Sequence, residues 1–195
     1  MADRTLIFCK PYQVLSCFTD PEGRPVIADY VDVPQVYAAG RLDYDSEGLL
    51  LLTSNGRLAH RVTQPRYKLK KVYLAQVENK PSESALRQLR RGVLVKGVRT
   101  RPAGVELLSQ EPELFPRAIP IRYRKNIPTA WIKMTLQEGR KRQVRRMTAA
   151  VGHATLRLVR IAIGPIELGN LLPGQWRDLS QDELKALWSS LGGSG

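Results

Sequence analysis

Cysteine and histidine are scarce in this 195-residue chain, with two of each. Cys9, Cys17, His60 and His153 give no disulfide framework and no paired zinc-ligand spacing. No apolar run approaches the roughly 20 residues that span a bilayer. The opening Met1-Ala2-Asp3-Arg4 lacks the apolar core of a signal peptide. With so few cysteines, a reducing cytoplasm is the expected location, away from membranes. A glycine-rich, lysine-ended phosphate loop and a Gly-x-Ser-x-Gly elbow are also missing, so ATP chemistry and serine hydrolysis have no support. The last shortage is acid: 18 Asp and Glu stand against 31 Lys and Arg, a net charge of +13 that points to a polyanionic partner, nucleic acid first.

The charge is uneven. Residues 1–60 hold 5 basic and 8 acidic side chains, so the excess of positive charge lies entirely beyond them. Within that acidic part, Gly40-Arg41-Leu42-Asp43-Tyr44-Asp45-Ser46-Glu47-Gly48 runs straight into Leu49-Leu50-Leu51-Leu52-Thr53. A short, uniformly apolar run closed by Ser54-Asn55-Gly56 predicts a strand buried on both faces. Carboxylates at the mouth of such a strand are costly unless cations answer them. The spacing of Asp43, Asp45 and Glu47 is like the start of a calcium loop. However, Ser54 stands where the bidentate glutamate belongs, so no metal site is expected.

Along the chain, Thr5 to Phe8 and Val14 to Phe18 predict strands, and Val36 to Ala39 an extended approach to the acidic turn. A helix follows over Arg57 to Thr63, then an alternating strand over Lys70 to Glu78. Ser82 and Gly92 bracket a second helix, with short strands at Val93 to Val95 and Val105 to Leu108. Residues 109–128 form a proline-rich basic loop carrying Arg117, Arg122, Arg124 and Lys125 before a strand at Ala130 to Gln137. A helix over Lys141 to Val151, a strand over Thr155 to Ile163, a last strand from Trp176 and a terminal helix capped at Ser180 complete the pattern. Many strands with scattered helices predict an α+β fold on a largely antiparallel, mixed sheet flanked by a few helices and loops. One domain is expected over 1–191, possibly in two lobes, with 192–195 as a flexible tail.

Two further features carry chemistry. In Glu138-Gly139-Arg140-Lys141-Arg142-Gln143-Val144-Arg145-Arg146-Met147, five of ten residues are cationic, while Val144 and Met147 keep an apolar stripe. Arg145 falls at the edge of that stripe and can turn inward to a carboxylate, while Arg142 and Arg146 face solvent or phosphate. A plain solvated basic face accounts for the spacing equally well. Tyr73, flanked by Arg66, Lys68, Lys70 and Lys71, suits stacking on an unstacked base, or ordinary cross-strand packing.

Taken together, these motifs resemble RNA pseudouridine synthases of the RsuA/RluB/RluE type. Lys10-Pro11, Gly40 to Thr53, Lys71-Val72-Tyr73, Glu138 to Met147 and Gly152-His153 through Gly164-Pro165 fall in that family's order. The likeness covers roughly residues 5–180, and Ile127-Pro128-Thr129-Ala130-Trp131 makes the RluE branch the most similar. It implies the family's catalytic fold without an accompanying S4 domain, and a uridine of large-subunit 23S ribosomal RNA, in a stem-loop or assembly intermediate, as substrate. It further implies Asp43 as the catalytic carboxylate acting at the ribose, Arg145 as its ion-pair partner and Tyr73 stacked on the flipped base. An apolar residue between Leu156 and Ile163 would line the base pocket. RNA contacts are expected from Arg41, Lys71, Arg140, Arg142, Gln143, Arg146, Arg122, Arg124 and Lys125. The chemistry implied needs no cofactor or metal, and a monomer is expected. The alternatives are a non-catalytic ribosomal RNA-binding assembly factor on the same fold and an N-glycoside hydrolase that releases uracil.

Overall fold

The four leucines Leu49 to Leu52 are completely buried, and a sheet is assembled around them. The computed structural model describes residues 3–121 and 127–192, so the expected contacts of Arg122, Arg124 and Lys125 lie outside the described residues. The described strands are β1 (Thr5–Lys10), β2 (Tyr37–Ala38), β3 (Glu47–Thr53), β4 (Lys71–Glu78), β5 (Leu94–Val95), β6 (Val98–Arg99), β7 (Gly104–Leu107), β8 (Thr129–Leu136), β9 (Thr155–Ile163), β10 (Ile166–Glu167) and β11 (Trp176–Asp178). The α-helices are α1 (Gly56–Thr63), α2 (Glu83–Arg91), α3 (Gln143–Ala150) and α4 (Gln181–Ser190).

The main sheet runs β11-β1-β3-β9-β4-β8-β7, with β2 added to β3 and β10 to β9, while β5 and β6 form a separate hairpin. Neighbours in it are antiparallel except β3 and β9, which meet in parallel at Glu47↔Val159 and Gly48↔Arg160. The fold is thus the α+β arrangement that the strand-rich sequence predicts.

Side-chain alternation explains the double burial of β3. Leu49 and Leu51 join Ile7 and Cys9 against α1 and α4. Leu50 and Leu52 join Leu6 and Phe8 against the segment holding Ile27, Val31, Val33 and Val36. A third cluster places Ala75, Ile132, Met134 and Leu158 under α2 and α3. Asn55, Ser82 and Ser180 each accept a backbone N–H at the starts of α1, α2 and α4; Ser82 and Ser180 are the caps the sequence marks, while Asn55 starts α1 at Gly56, one residue before the expected Arg57.

Two elements differ from expectation. Val14 to Phe18 is not a strand: it makes one isolated bridge, Leu15↔Val26, after a left-handed Gln13. Its apolar Val14 serves instead as an anchor for a loop folded over β1 and β3. Helix α3 starts at Gln143 rather than Lys141, because Arg142 is left-handed at φ 55° and breaks the helical path.

One register row crosses the sheet at the start of β3. Lys10, Gly48, Arg160, Tyr73, Met134 and Val105 are successive partners in it, so their side chains share a face. Gly48 is the gap in that row. Its φ is +96°, and a Cβ there would collide with the carbonyl oxygen of Arg160. Glycine is therefore required where β3 and β9 join. Gly48→Ala should lose at least about 2 kcal/mol of unfolding free energy in urea titration. Gly56→Ala, where nothing lies within 4 Å, should leave stability unchanged or raise it. Equal stabilities for the two variants would show that the β3–β9 junction yields easily.

Candidate active site

The acidic turn is suspended by its backbone above the point where β3 meets β9. Leu42, itself buried, donates its N–H to Ser16 Oγ at 3.0 Å, and the hydroxyl donates back to Leu42 O at 2.8 Å. Gln13 N–H reaches Tyr44 O at 2.9 Å, and Ser46 N–H closes the turn on Asp43 O at 3.0 Å. The loop that sequence patterning mistakes for a strand thus pins the turn.

The cations of α3 close on one of its carboxylates. Arg142 donates through Nη1 and Nη2 to the two oxygens of Asp45, both at 2.8 Å. Arg145, at the buried edge of α3, donates Nη2 to Asp45 O at 2.6 Å and Nη1 to Thr155 O at 2.9 Å. Its Nε stands 3.3 Å from Asp45 Oδ2, close enough to pair but without hydrogen-bond alignment. Burial pushes the Asp45 carboxyl upward, but the Arg142 bonds and the nearby Arg145 charge outweigh it and hold Asp45 below the usual range. Asp43, half-buried, makes no side-chain hydrogen bond or ion pair to a described residue. It lies in the field of Lys10, Arg142 and Arg145. The arginine pairing expected for Asp43 is therefore made by Asp45, and Arg142, with 39% of its side chain exposed, faces solvent and pairs with Asp45 as well.

Below the turn sits a second, buried charge group. Glu47, 2% exposed, receives Nε and Nη2 of Arg157, both at 3.0 Å. Arg157 also donates to Phe115 O at 2.9 Å, and Arg117 brings Nε to 3.9 Å from Glu47 while covering the Tyr12 ring. Glu47 therefore ties the proline-rich loop to the base of the acidic turn. Lys10 has no exposed surface and donates Nζ to Pro11 O and Val14 O at 2.8 and 2.7 Å. Burial pulls Lys10 down to about 7, against the upward pull of Glu47, Asp45 and Asp43.

The other expected residues divide by environment. Tyr73 is half-buried in the α3-side cluster, in the register row beside Arg160. Lys71 lies two residues earlier on β4, and Arg41 is exposed on the turn. Arg140 is exposed, 3.4 Å from Glu138 Oε2, and Arg146 is half-buried with no ion pair to a described residue. Gln143 is turned inward: it is 4% exposed, donates Nε2 to Glu138 Oε1 at 2.6 Å and accepts Arg140 N–H at 3.0 Å. Its amide is committed to shaping the start of α3, not to an RNA-facing surface. Glu47, Arg157 and Arg160 are absent from the sequence-derived set. Glu47 stands in the acidic turn that the sequence singles out, whereas Arg157 and Arg160 are lone charges in an apolar run, Leu156-Arg157-Leu158-Val159-Arg160-Ile161, that carries no motif. A cleft of about 690 Å³ lined by Val72, Leu74 and Lys133 holds none of these groups. Val72 and Leu74 alternate with Tyr73, so that cleft opens on the opposite face of β4. Among the described residues no cluster of His, Cys, Asp and Glu is arranged to hold a metal.

A sheet with one parallel junction, a suspended acidic turn and an arginine-bearing helix closing on it define a class. Residues 4–150 match the RNA pseudouridylate synthase family, and the chain belongs to it. It is an RNA pseudouridine synthase. It is 52% identical over 177 residues to the ribosomal large subunit pseudouridine synthase E of Vibrio vulnificus, covering 91% of this chain and 75% of that protein. It is 56% identical over 170 residues to the protein of the same name from Xanthomonas campestris pv. campestris, covering 86% and 91% respectively. A crystal structure of a pseudouridylate synthase superposes with a TM-score of 0.80 at 30% identity, covering 95% of this chain and 74% of that one.

Two outcomes test the buried charges. Glu47→Gln leaves Arg157 and Arg117 unanswered and should cost about 3–5 kcal/mol in denaturant unfolding. A loss under about 1 kcal/mol would show that solvent reaches the group. Lys10 loses its proton at a lower pH in the folded chain than in the unfolded one, where lysine titrates near ~10.4. Between these values the unfolded state binds the extra proton, so stability rises with pH. Cys9, pushed up to about 12 by burial, works in the opposite sense above the ordinary cysteine range. Relative to Lys10→Met, wild type should therefore gain stability from about pH 7 to 9, at up to ~1.4 kcal/mol per pH unit. A pH-independent difference would mean that buried Lys10 stays charged against Glu47.

Proposed function

We propose that the chain converts a uridine of large-subunit 23S ribosomal RNA to pseudouridine, with Asp43 as the carboxylate that acts on the ribose. The observation carrying this reading is the contrast between two carboxylates of one turn. Asp45 is clamped by two arginines, while Asp43 keeps both oxygens unbonded among the described residues. A carboxylate that must reach a sugar atom needs to be held in place without being occupied. The Vibrio and Xanthomonas relatives, over half identical across most of the chain, carry a large-subunit name and support that substrate.

In the proposed reaction the C1′–N1 bond breaks, the uracil turns, C1′–C5 forms, and C5 gives up a proton as N1 gains one. The balance needs no external oxidant, reductant or nucleotide. Asp43 acts either by attack at C1′ or by taking the C2′ proton to give a glycal. The target base leaves its stack to bring the ribose to the carboxylate, and the Tyr73 ring receives it. Leu158, paired with Ala75 on the Tyr73 face, fits as the apolar wall of the base pocket. Arg145 and Arg142 act through Asp45 as positioning residues. Exposed Arg41 and half-buried Arg146 suit backbone phosphates.

The test is tritium release from ribosomal RNA labelled at uracil C5. Wild type should release tritium without free uracil, and Asp43→Asn should release none while still binding the RNA. Free uracil would make the protein an N-glycoside hydrolase. Absence of release from every ribosomal RNA and subunit tried would favour an RNA-binding assembly factor.

A further inference from the structure

Arg157 and Arg160 stand three residues apart on β9, both buried, and among the described residues only Arg157 is answered by an acid. Arg160, 4% exposed, donates Nε to Leu49 O at 2.7 Å, and its Nη2 is buried with no hydrogen-bond partner. Among the described residues, five buried side-chain polar atoms lack such a partner, and four of them belong to Ser46, Arg117, Arg145 and Arg160, at or below the acidic turn. Arg117 Nε and Arg145 Nε still lie within 4 Å of Glu47 and Asp45, which leaves Arg160 Nη2 as the guanidinium donor at the turn with no acceptor among the described residues.

Lys71 supplies the second half. It pairs with Leu136 across β8, while Tyr73 pairs with Met134, so Lys71 and Tyr73 share the face turned to α3. Lys71 Nζ donates to Val62 O at 3.2 Å and, like Arg160, has no carboxylate partner among the described residues. Burial first, and then the Arg160 guanidinium, pull Lys71 down to about 8. Two partly desolvated cations thus stand near each other, each bonded to a backbone carbonyl and neither paired with a carboxylate among the described residues, an arrangement that disfavours their charged forms. Lys10 differs, since Glu47, Asp45 and Asp43 all lie in its field.

We propose that Arg160 and Lys71 form a seat for a phosphate flanking the target nucleotide, placed beside the Tyr73 ring on which the base would stack. The proposal rests on reading the cleft as the uridine-isomerising site. Arg160 is the register partner of Tyr73, and Lys71 is two residues from it on the same face. The sugar–phosphate of a base stacked on Tyr73 passes over these two cations. A neutral uracil edge presents an acceptor beside a donor and leaves both charges uncompensated, whereas one phosphate accepts from both.

The test is binding, read by NMR titration of the protein including the Lys71 Nζ signal, with uridine 3′,5′-bisphosphate, uridine and inorganic phosphate as probes. The bisphosphate should bind at least about tenfold more tightly than uridine, the worth of one charge-assisted contact. It should also raise the pH at which Lys71 titrates. Arg160→Gln and Lys71→Gln should each remove that advantage, and Arg160→Lys should keep part of it. Lys71 is half-exposed, so Lys71→Gln tests the seat even if the Arg160 variants fail to fold. Equal affinity for uridine and the bisphosphate, or full bisphosphate binding by Lys71→Gln, would overturn the proposal. Inorganic phosphate matching the bisphosphate in affinity would overturn the nucleotide assignment and leave a site for a free anion. None of these readings depends on turnover, so tritium release stands or falls separately.

Discussion

Asp45 and the two arginines of α3 form the contact on which the site depends. A turn bounded by two glycines in positive φ has little to hold it, and ordering each of its residues costs about 1–2 kcal/mol of backbone entropy. The Ser16 hydroxyl and the Gln13 amide fix its backbone from one side. The Arg142 fork on Asp45 and the Arg145 bond to Asp45 O fix it from the other. Arg142 reaches the carboxylate from a left-handed backbone, a conformation that costs a non-glycine residue about 1–2 kcal/mol. The bidentate charge-assisted pair offsets that strain and at the same time sets where α3 begins.

Around this contact the cations separate into those with an acid and those without. Arg142 and Arg145 have Asp45, and Arg157 has Glu47. Each pair joins elements distant in sequence, and removing one member of the Arg157–Glu47 pair would strand a buried charge. Glu47 draws the proline-rich loop toward the base of the turn through Arg157 and Phe115 O, while Arg117 lies over Tyr12 on the segment after β1. Arg160 and Lys71 have no such partner among the described residues. The two sets are thus treated unequally by the fold: one is tied to carboxylates, the other only to backbone carbonyls.

Much of this was legible in the residues themselves. Four leucines in a row marked a strand buried on both sides, and alternation at Lys70 to Glu78 marked β4 with Tyr73, Ala75 and Val77 on one face. Cap residues located the starts of α2 and α4. The acid that Arg145 meets was not legible. Asp43 and Asp45 are two residues apart on a turn, and neither strand nor helix periodicity determines which way a turn aims its side chains. The inward Gln143 was hidden for a related reason. A helix taken to start at Lys141 puts that residue in a basic first turn, whereas the left-handed Arg142 makes it the first residue of α3, facing Glu138. Arg160 was overlooked because a lone arginine in an apolar strand carries no motif; its meaning emerged only when the register set it beside Tyr73 and Gly48.

The pairing at Asp45 rather than Asp43 has a chemical consequence. A carboxylate gripped by a guanidinium fork has its best lone pairs occupied and its approach blocked, so a directly paired Asp43 would have to break that pair before acting on a sugar. Holding Asp45 instead keeps Asp43 in register through two residues of fixed backbone. Arg142 and Arg145 stand close enough to feel the Asp43 carboxylate without bonding to it. The turn is therefore anchored through Asp45, and the Asp43 carboxylate is left without a bond to a described residue.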